Sequence, residues 1–160
     1  MNILNYKLYY FLGVGGIGMS ALARFFNHYK KAVYGYDKTE TMLTNQLQAE
    51  GIICHFEENE TLLKETLSKF SKEEILIVYT PAVPKEHLEY QYVIKNGYTV
   101  LKRSQVLGEI SKQFKTIAIA GTHGKTTTTT LVTHLLKSAG FNCFSFMGGI
   151  SKNYNTKNVA

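Results

Sequence analysis

"FLGVGGIGMSAL", residues 11 to 22, is the stretch on which the fold turns. The apolar run of residues 8–14 leads into Gly13-x-Gly15-x-x-Gly18. Directly behind it Met19, Leu22, Ala23, Phe26 and Tyr29 recur at helical spacing. A strand, a glycine turn and a helix in that order form the setting in which this spacing rises above chance. The glycines let the main chain turn tightly and approach a diphosphate, and the helix start contributes unpaired N–H groups and about half a positive charge. Asp37 lies nineteen residues after Gly18 at the end of the next apolar run, where a carboxylate can accept hydrogen bonds from ribose hydroxyls. The same residues fit two other readings. One is an NAD-binding oxidoreductase domain. The other is a turn that merely packs helix on strand, with Asp37 capping a helix in "DKTETML".

Outward from this motif, β-branched and aromatic runs alternate with helical patterns. Strands are expected at 8–14, 32–37, 52–56, 75–80, 98–101, 116–120 and 142–146. Helical spacing is carried by Leu63, Leu67 and Phe70, by Leu88, Tyr92 and Lys95, by Val106 to Ile110, and by Leu131, Leu135 and Leu136. Gly51, Gly97 and Gly140 follow three of these stretches, where a left-handed residue would close a helix. Strands apolar on both faces with helical crossovers imply an α/β fold, a Rossmann-like and mainly parallel sheet with helices on both faces. Pro81 and Pro84 shape a loop at the carboxyl end of the 75–80 strand, the edge on which ligands of such sheets gather.

A second glycine motif lies in "IAIAGTHGKTTTTT", residues 117 to 130. Gly121 and Gly124 would bring main-chain N–H groups to a phosphate, Lys125 would reach the β- and γ-phosphates, and the hydroxyl of Thr126 would ligate Mg²⁺. Thr127 is the next residue within reach. Threonines are mediocre helix formers, so the run is read as chosen for hydroxyls at a helix start. The pattern departs from the general phosphate-loop signature, since Ile119 stands where that signature has its first glycine. A boundary is expected in the polar stretch around residues 111–115, dividing the chain into residues 1–113 and residues 114–160, the latter the incomplete start of a P-loop ATPase domain.

Composition narrows the class. The chain has 160 residues, 44% of them apolar and 19% charged, the balance of an ordinary globular protein. Its net charge of +6 suits anionic ligands, but the lysines are scattered and no nucleic-acid motif accompanies them. Cys54 and Cys143 lie 89 residues apart without a C-x-x-C pair, which reads as two reduced thiols in a cytoplasmic protein. No apolar run is long enough for a membrane span. His28, His55, His87 and His134 have no sequence neighbours that point to metal or acid–base work, and they are read as structural.

The loop "GTHGKTTTT" is similar to the ATP loop of the Mur ligase and folylpolyglutamate synthetase superfamily. Taken with "FLGVGGIGMSALA", "YGYD", "VYTPAVP", "LKRSQVLGEI" and "FMGGI", the chain resembles, nearly end to end, the amino-terminal part of the Mur ligase family. The likeness is to the branch that joins L-alanine to UDP-N-acetylmuramate, with murein tripeptide recycling as an alternative branch and a non-catalytic sugar-nucleotide-binding module as a further one. The resemblance implies that the first domain binds the UDP sugar instead of a nicotinamide. It places Gly13, Gly15, Gly16, Ile17, Gly18, Met19 and Ser20 at the diphosphate, Asp37 at the ribose, Thr80, Pro81, Ala82 and Val83 beside the uridine, and Arg103 on the substrate side. It implies ATP and Mg²⁺ at Gly121, Thr122, His123, Gly124, Lys125, Thr126 and Thr127, with Lys125, Thr126 and His123 nearest the chemistry. It also implies that the chain is a piece of a longer ligase and does not turn over alone.

Overall fold

The computed structural model describes residues 2–151 and 157–159. Five parallel strands form the main sheet: β1 (Leu8–Leu12), β2 (Ala32–Tyr36), β3 (Ile53–His55), β4 (Ile75–Tyr79) and β5 (Thr99–Lys102), in the order β3-β2-β1-β4-β5. The crossovers are α1 (Ile17–His28), α2 (Met42–Ala49), α3 (Glu60–Leu67) and α4 (Leu88–Lys95), and α5 (Arg103–Ser111) follows β5. Parallel pairing requires such crossovers, and it puts every strand's carboxyl end on one edge. Every residue of β1 is buried, as are the first four of β4, because these strands are central and covered on both faces. One face packs Tyr9, Phe11, Leu76 and Val78 against Leu22, Phe25 and Phe26 of α1. The other packs Tyr10, Leu12, Ile75 and Ile77 against Leu63, Leu67 and Val93. At roughly 2 kcal/mol for each fully buried large apolar side chain, these two layers are the main source of stability.

Gly51, Gly97 and Gly140 have φ of +90°, +66° and +82°, so each closes a helix in the left-handed conformation expected of it. Several expectations need correction. The helix α2 is absent from the apolar pattern because it buries only Thr44 and Leu47. In α4 the buried residues are Glu89 and Val93, while Leu88 is half exposed, so the inward face lies one residue on from the Leu88/Tyr92/Lys95 stripe.

The remaining elements are α6 (Lys125–Ser138) and an antiparallel pair, β6 (Phe146–Ser151) and β7 (Lys157–Val159). Residues 116–120, expected as a strand, join no sheet among the described residues, and so the start of a P-loop domain sheet is not formed here. A strand lacking a neighbour leaves its N–H and C=O groups unpaired, and the segment lies mostly exposed. The strand expected at 142–146 instead begins at Phe146. Leu131 and Leu135 are also mostly exposed, leaving Thr133 as the one buried residue in α6 among those described. No helix among the described residues is long and apolar enough to cross a membrane.

Candidate functional site

The order β3-β2-β1-β4-β5 reverses direction between β1 and β4, which makes the carboxyl ends of these two strands the switch-point crevice at which open α/β sheets take ligands. The Gly13–Gly16 loop leaves β1. Gly13 N–H and Val14 N–H both donate to the carbonyl of Tyr36, at 2.8 and 2.9 Å, which ties the neck of the loop to β2. The residue Gly35, overlooked in the sequence reading, makes this possible. A Cβ there would lie 2.8 Å from Val14 Cβ and 2.9 Å from the Phe11 carbonyl. An isolated glycine within a strand was the available signal of a close backbone approach.

Each glycine of the motif is required by a different neighbour. Gly13 has φ +90°, and a Cβ on it would come 2.6 Å from Thr80 Cγ2. Gly15 donates its N–H to Asp37 Oδ2 at 2.7 Å, and a Cβ there would meet that oxygen and Thr44 Cγ2 at 2.9 Å. Gly18 lies under Arg103, whose Nη1 would be 2.9 Å from an added Cβ. The fold therefore brings Gly13, Gly15, Gly18, Asp37, Thr80 and Arg103 together from four separate segments. Asp37 does not cap α2, since Thr41 does that through a reciprocal bond pair with Thr44. Asp37 Oδ1 instead accepts from Thr39 N–H at 3.2 Å. Thr80 to Val83 forms a turn closed by Val83 N–H to the Thr80 carbonyl at 3.1 Å, with Pro81 and Ala82 exposed at its tip. Gly16 and Ile17 are exposed at the start of α1. Met19 points into the core, and the Ser20 hydroxyl donates to the Ile17 carbonyl at 3.0 Å.

The helix starts differ in a way that points to anions. A side chain, Thr41 or Asn59, caps α2 and α3, and the first N–H of α4 goes to Glu58 Oε2 at 2.9 Å. By contrast α1, α5 and α6 begin with no side-chain cap bond, the condition under which a helix start serves an outside anion, and of these α1 and α6 begin on a glycine, Gly16 and Gly124. At α6, Gly124 has φ +76°, and Lys125 Nζ folds back onto the carbonyls of Gly121 and Thr122 at 2.5 and 3.1 Å. Thr129, Thr130 and Thr133 return their hydroxyls to carbonyls four residues earlier. Thr126 and Thr127 do not, and among the described residues their hydroxyls make no hydrogen bond. His123 is exposed and pairs with no described residue. Among the described residues no three His, Cys, Asp or Glu side chains cluster to hold a metal. A cation here would therefore take Thr126 and phosphate oxygens as its donors, a set that suits Mg²⁺.

Beneath the crevice lies a polar network that the sequence reading did not anticipate. Glu89 is fully buried. Its Oε2 accepts from Tyr10 Oη at 2.7 Å, and its Oε1 meets His55 Nε2 at 2.8 Å and Asn59 N–H at 3.0 Å. Burial by itself would raise this carboxyl's pKa, but the bonds from His55, Asn59 and Tyr10 outweigh it and hold the group below the usual carboxylate range. His55 thus has acid company after all, brought by α4 from 34 residues away. Cys54, next to it, is an inert core thiol, pushed up to about 11 by burial and by the Asp37 carboxylate.

Residues 8–115 match the model of the "Mur ligase family, catalytic domain". The chain is 48% identical over 156 residues to a UDP-N-acetylmuramate--L-alanine ligase of Cytophaga hutchinsonii, covering 98% of this chain and 33% of that protein. It is 50% identical over 150 residues to the one of Porphyromonas gingivalis, covering 94% and 32%. Among solved structures, the UDP-N-acetylmuramate-alanine ligase of Thermotoga maritima superposes with a TM-score of 0.79 at 30% identity, over 94% of this chain and 34% of that one. The chain spans about a third of the length of the curated relatives it matches. With a family model matched over most of its length and a crevice built from the motif residues, this chain belongs to the Mur ligase family.

Proposed function

We propose that this chain supplies the sugar-nucleotide site and the phosphate loop of a cytoplasmic, ATP-dependent ligase that joins L-alanine to UDP-N-acetylmuramate in peptidoglycan synthesis. The observation that carries the reading is the presence of two separate uncapped, glycine-begun helices in one chain, α1 at the strand-order reversal and α6 behind Gly-Lys-Thr. The names of the relatives at 48% and 50% identity point the same way. In this reading residues 1–113 hold the UDP sugar and residues 114–160 begin the ATP-binding part. Gly13 to Ser20 offer main chain to the diphosphate, Asp37 faces the ribose, Thr80 to Val83 flank the uridine, and Arg103 guards the substrate side.

A carboxylate resists attack by an amine because its leaving group would be oxide. In the proposed reaction the lactyl carboxylate oxygen takes the γ-phosphoryl group of ATP and ADP departs. The amine of L-alanine then attacks the carbonyl carbon, a C–N bond forms, and the C–O bond to phosphate breaks with its electron pair leaving on phosphate as the amine loses a proton. Mg²⁺, when bound, would neutralise charge on the phosphates. The Lys125 ammonium, released from the carbonyls of Gly121 and Thr122, would stabilise the same charge, and Thr126 would hold the cation in place.

Calorimetric titration with UDP-N-acetylmuramate, UDP, NADH and ATP·Mg²⁺, repeated on Lys125→Ala, tests this. Sugar-nucleotide affinity is expected to be unchanged by the substitution and ATP affinity to fall by about tenfold or more. Equal loss of both would overturn the two-site division, and binding of NADH without response to the UDP sugar would replace the reading with an oxidoreductase domain.

A further inference from the structure

The glycine pair of "FMGGI" lies on β6, and β6 runs between the two phosphate loops. On one side Phe146, Met147 and Gly148 wall a cavity of about 100 Å³, whose other wall includes Gly18 and Arg103. On the other side is the first turn of α6. A Cβ on Gly148 would lie 3.0 Å from Thr126 Oγ1, tighter than ordinary contact, whereas a Cβ on Gly149 would lie 3.5 Å from Thr126 Cγ2, at ordinary contact. The strand is fastened there, since Thr130 Oγ1 meets Met147 Sδ at 3.5 Å. Neither glycine has a backbone angle in the left-handed region. The main chain therefore does not demand glycine at either position, and clearance is the remaining reason at 148.

We propose that Gly148 is a positioning residue for the divalent cation: by lacking a side chain it leaves the Thr126 hydroxyl free to turn toward a metal carried by a triphosphate. This rests on the reading of Thr126 given above. The hydroxyls of Thr129, Thr130 and Thr133 are committed to the helix, those of Thr126 and Thr127 are not, and of these two Thr126 is the one that Gly148 abuts. A methyl group at 148 would push that oxygen by a few tenths of an ångström. Mg²⁺ holds oxygen ligands near octahedral geometry at about 2.0–2.1 Å, so a displacement of that size disturbs ligation while leaving the phosphate cradle intact. At 149 the same methyl would meet, among the described residues, only the Thr126 methyl at a comfortable distance.

The test uses the 160-residue chain with Mn²⁺ as a spectroscopic probe. Binding of Mn²⁺·ATP is followed by electron paramagnetic resonance, metal-free ATP by calorimetry, and UDP-N-acetylmuramate as the check that each variant is folded. Gly148→Ala is expected to weaken Mn²⁺·ATP by about tenfold, the scale on which groups supporting a metal ligand act. Metal-free ATP and the UDP sugar are expected to stay within about twofold, and so is Mn²⁺·ATP for Gly149→Ala. Adding Thr126→Ser to Gly148→Ala is expected to restore most of the loss, because serine has no methyl and its hydroxyl can take the rotamer the methyl occupied. Equal losses for Gly148→Ala and Gly149→Ala, or an equal loss of metal-free ATP, would overturn the inference while leaving the ATP site standing. Failure of the unsubstituted chain to bind Mn²⁺·ATP would overturn the ATP reading and this inference together.

Discussion

The loop at Gly13–Gly18 and the loop at Gly121–Lys125 share one grammar: glycine supplies a positive φ, and a helix begins without a side-chain cap. Their surroundings differ. The first is braced by Tyr36 and Asp37 at the end of β2, Thr80 after β4 and Arg103 of α5, and its glycines are required by those neighbours. The second is exposed throughout and held by its own lysine, and among the described residues an added Cβ at Gly124 would touch nothing closer than 3.9 Å. The same local motif is therefore a matter of tertiary packing in one place and of backbone conformation alone in the other.

That contrast can be broken by substitution. Gly13→Ala combines a left-handed backbone with a clash against the stiff, β-branched Thr80. A loss of roughly 3 kcal/mol in denaturant unfolding is expected, together with weakened UDP-sugar binding. A loss under 1 kcal/mol would mean that the bracing has been overrated.

Glu89 asks whether the bracing extends below the crevice. Glu89→Gln is expected to cost roughly 2 kcal/mol at neutral pH, because it removes a charge-assisted acceptor from Tyr10, His55 and Asn59. The Glu89 carboxyl has its pKa depressed in the folded state, so its contribution is present above the unfolded value of about 4.3 and is lost as pH falls through the folded value. Melting curves taken from pH 7 down to pH 3 should therefore fall less steeply for Glu89→Gln than for the unsubstituted chain. An unchanged slope would remove Glu89 from the account.

The smallest effect is expected at Gly124→Ala, about 1 kcal/mol or less from the left-handed backbone alone, with the unfolding midpoint barely moved and ATP affinity reduced. A destabilisation as large as that of Gly13→Ala would erase the difference between the two loops.

Much of this was legible before any coordinates. The central strands stand out as runs such as LYYFL and ILIVY, and Gly51, Gly97 and Gly140 mark helix ends by a local backbone requirement that needs no knowledge of neighbours. What stayed hidden depended on neighbours. Residues 116–120 have a strand's composition, yet a strand exists only where another pairs with it. The polar α2 hid because it buries so little. The inward face of α4 was misplaced by one residue because a buried carboxylate, Glu89, occupies a position that apolar periodicity cannot flag. His55, Tyr10 and Glu89 are far apart in the chain and meet only through the β3-β2-β1 order. At the crevice, the glycine spacing was readable but the reason for each glycine was not, since Asp37, Thr80 and Arg103 arrive from segments that follow other strands.

One oxygen, the carbonyl of Tyr36, receives both N–H groups at the neck of the first loop. Because that acceptor belongs to the peptide unit, no exchange of side chain at position 36 can delete it. Mutational drift can repaint the second strand while the anchor persists, whereas dropping a single residue from AVYGY would slip the strand and dislodge the anchor in one step.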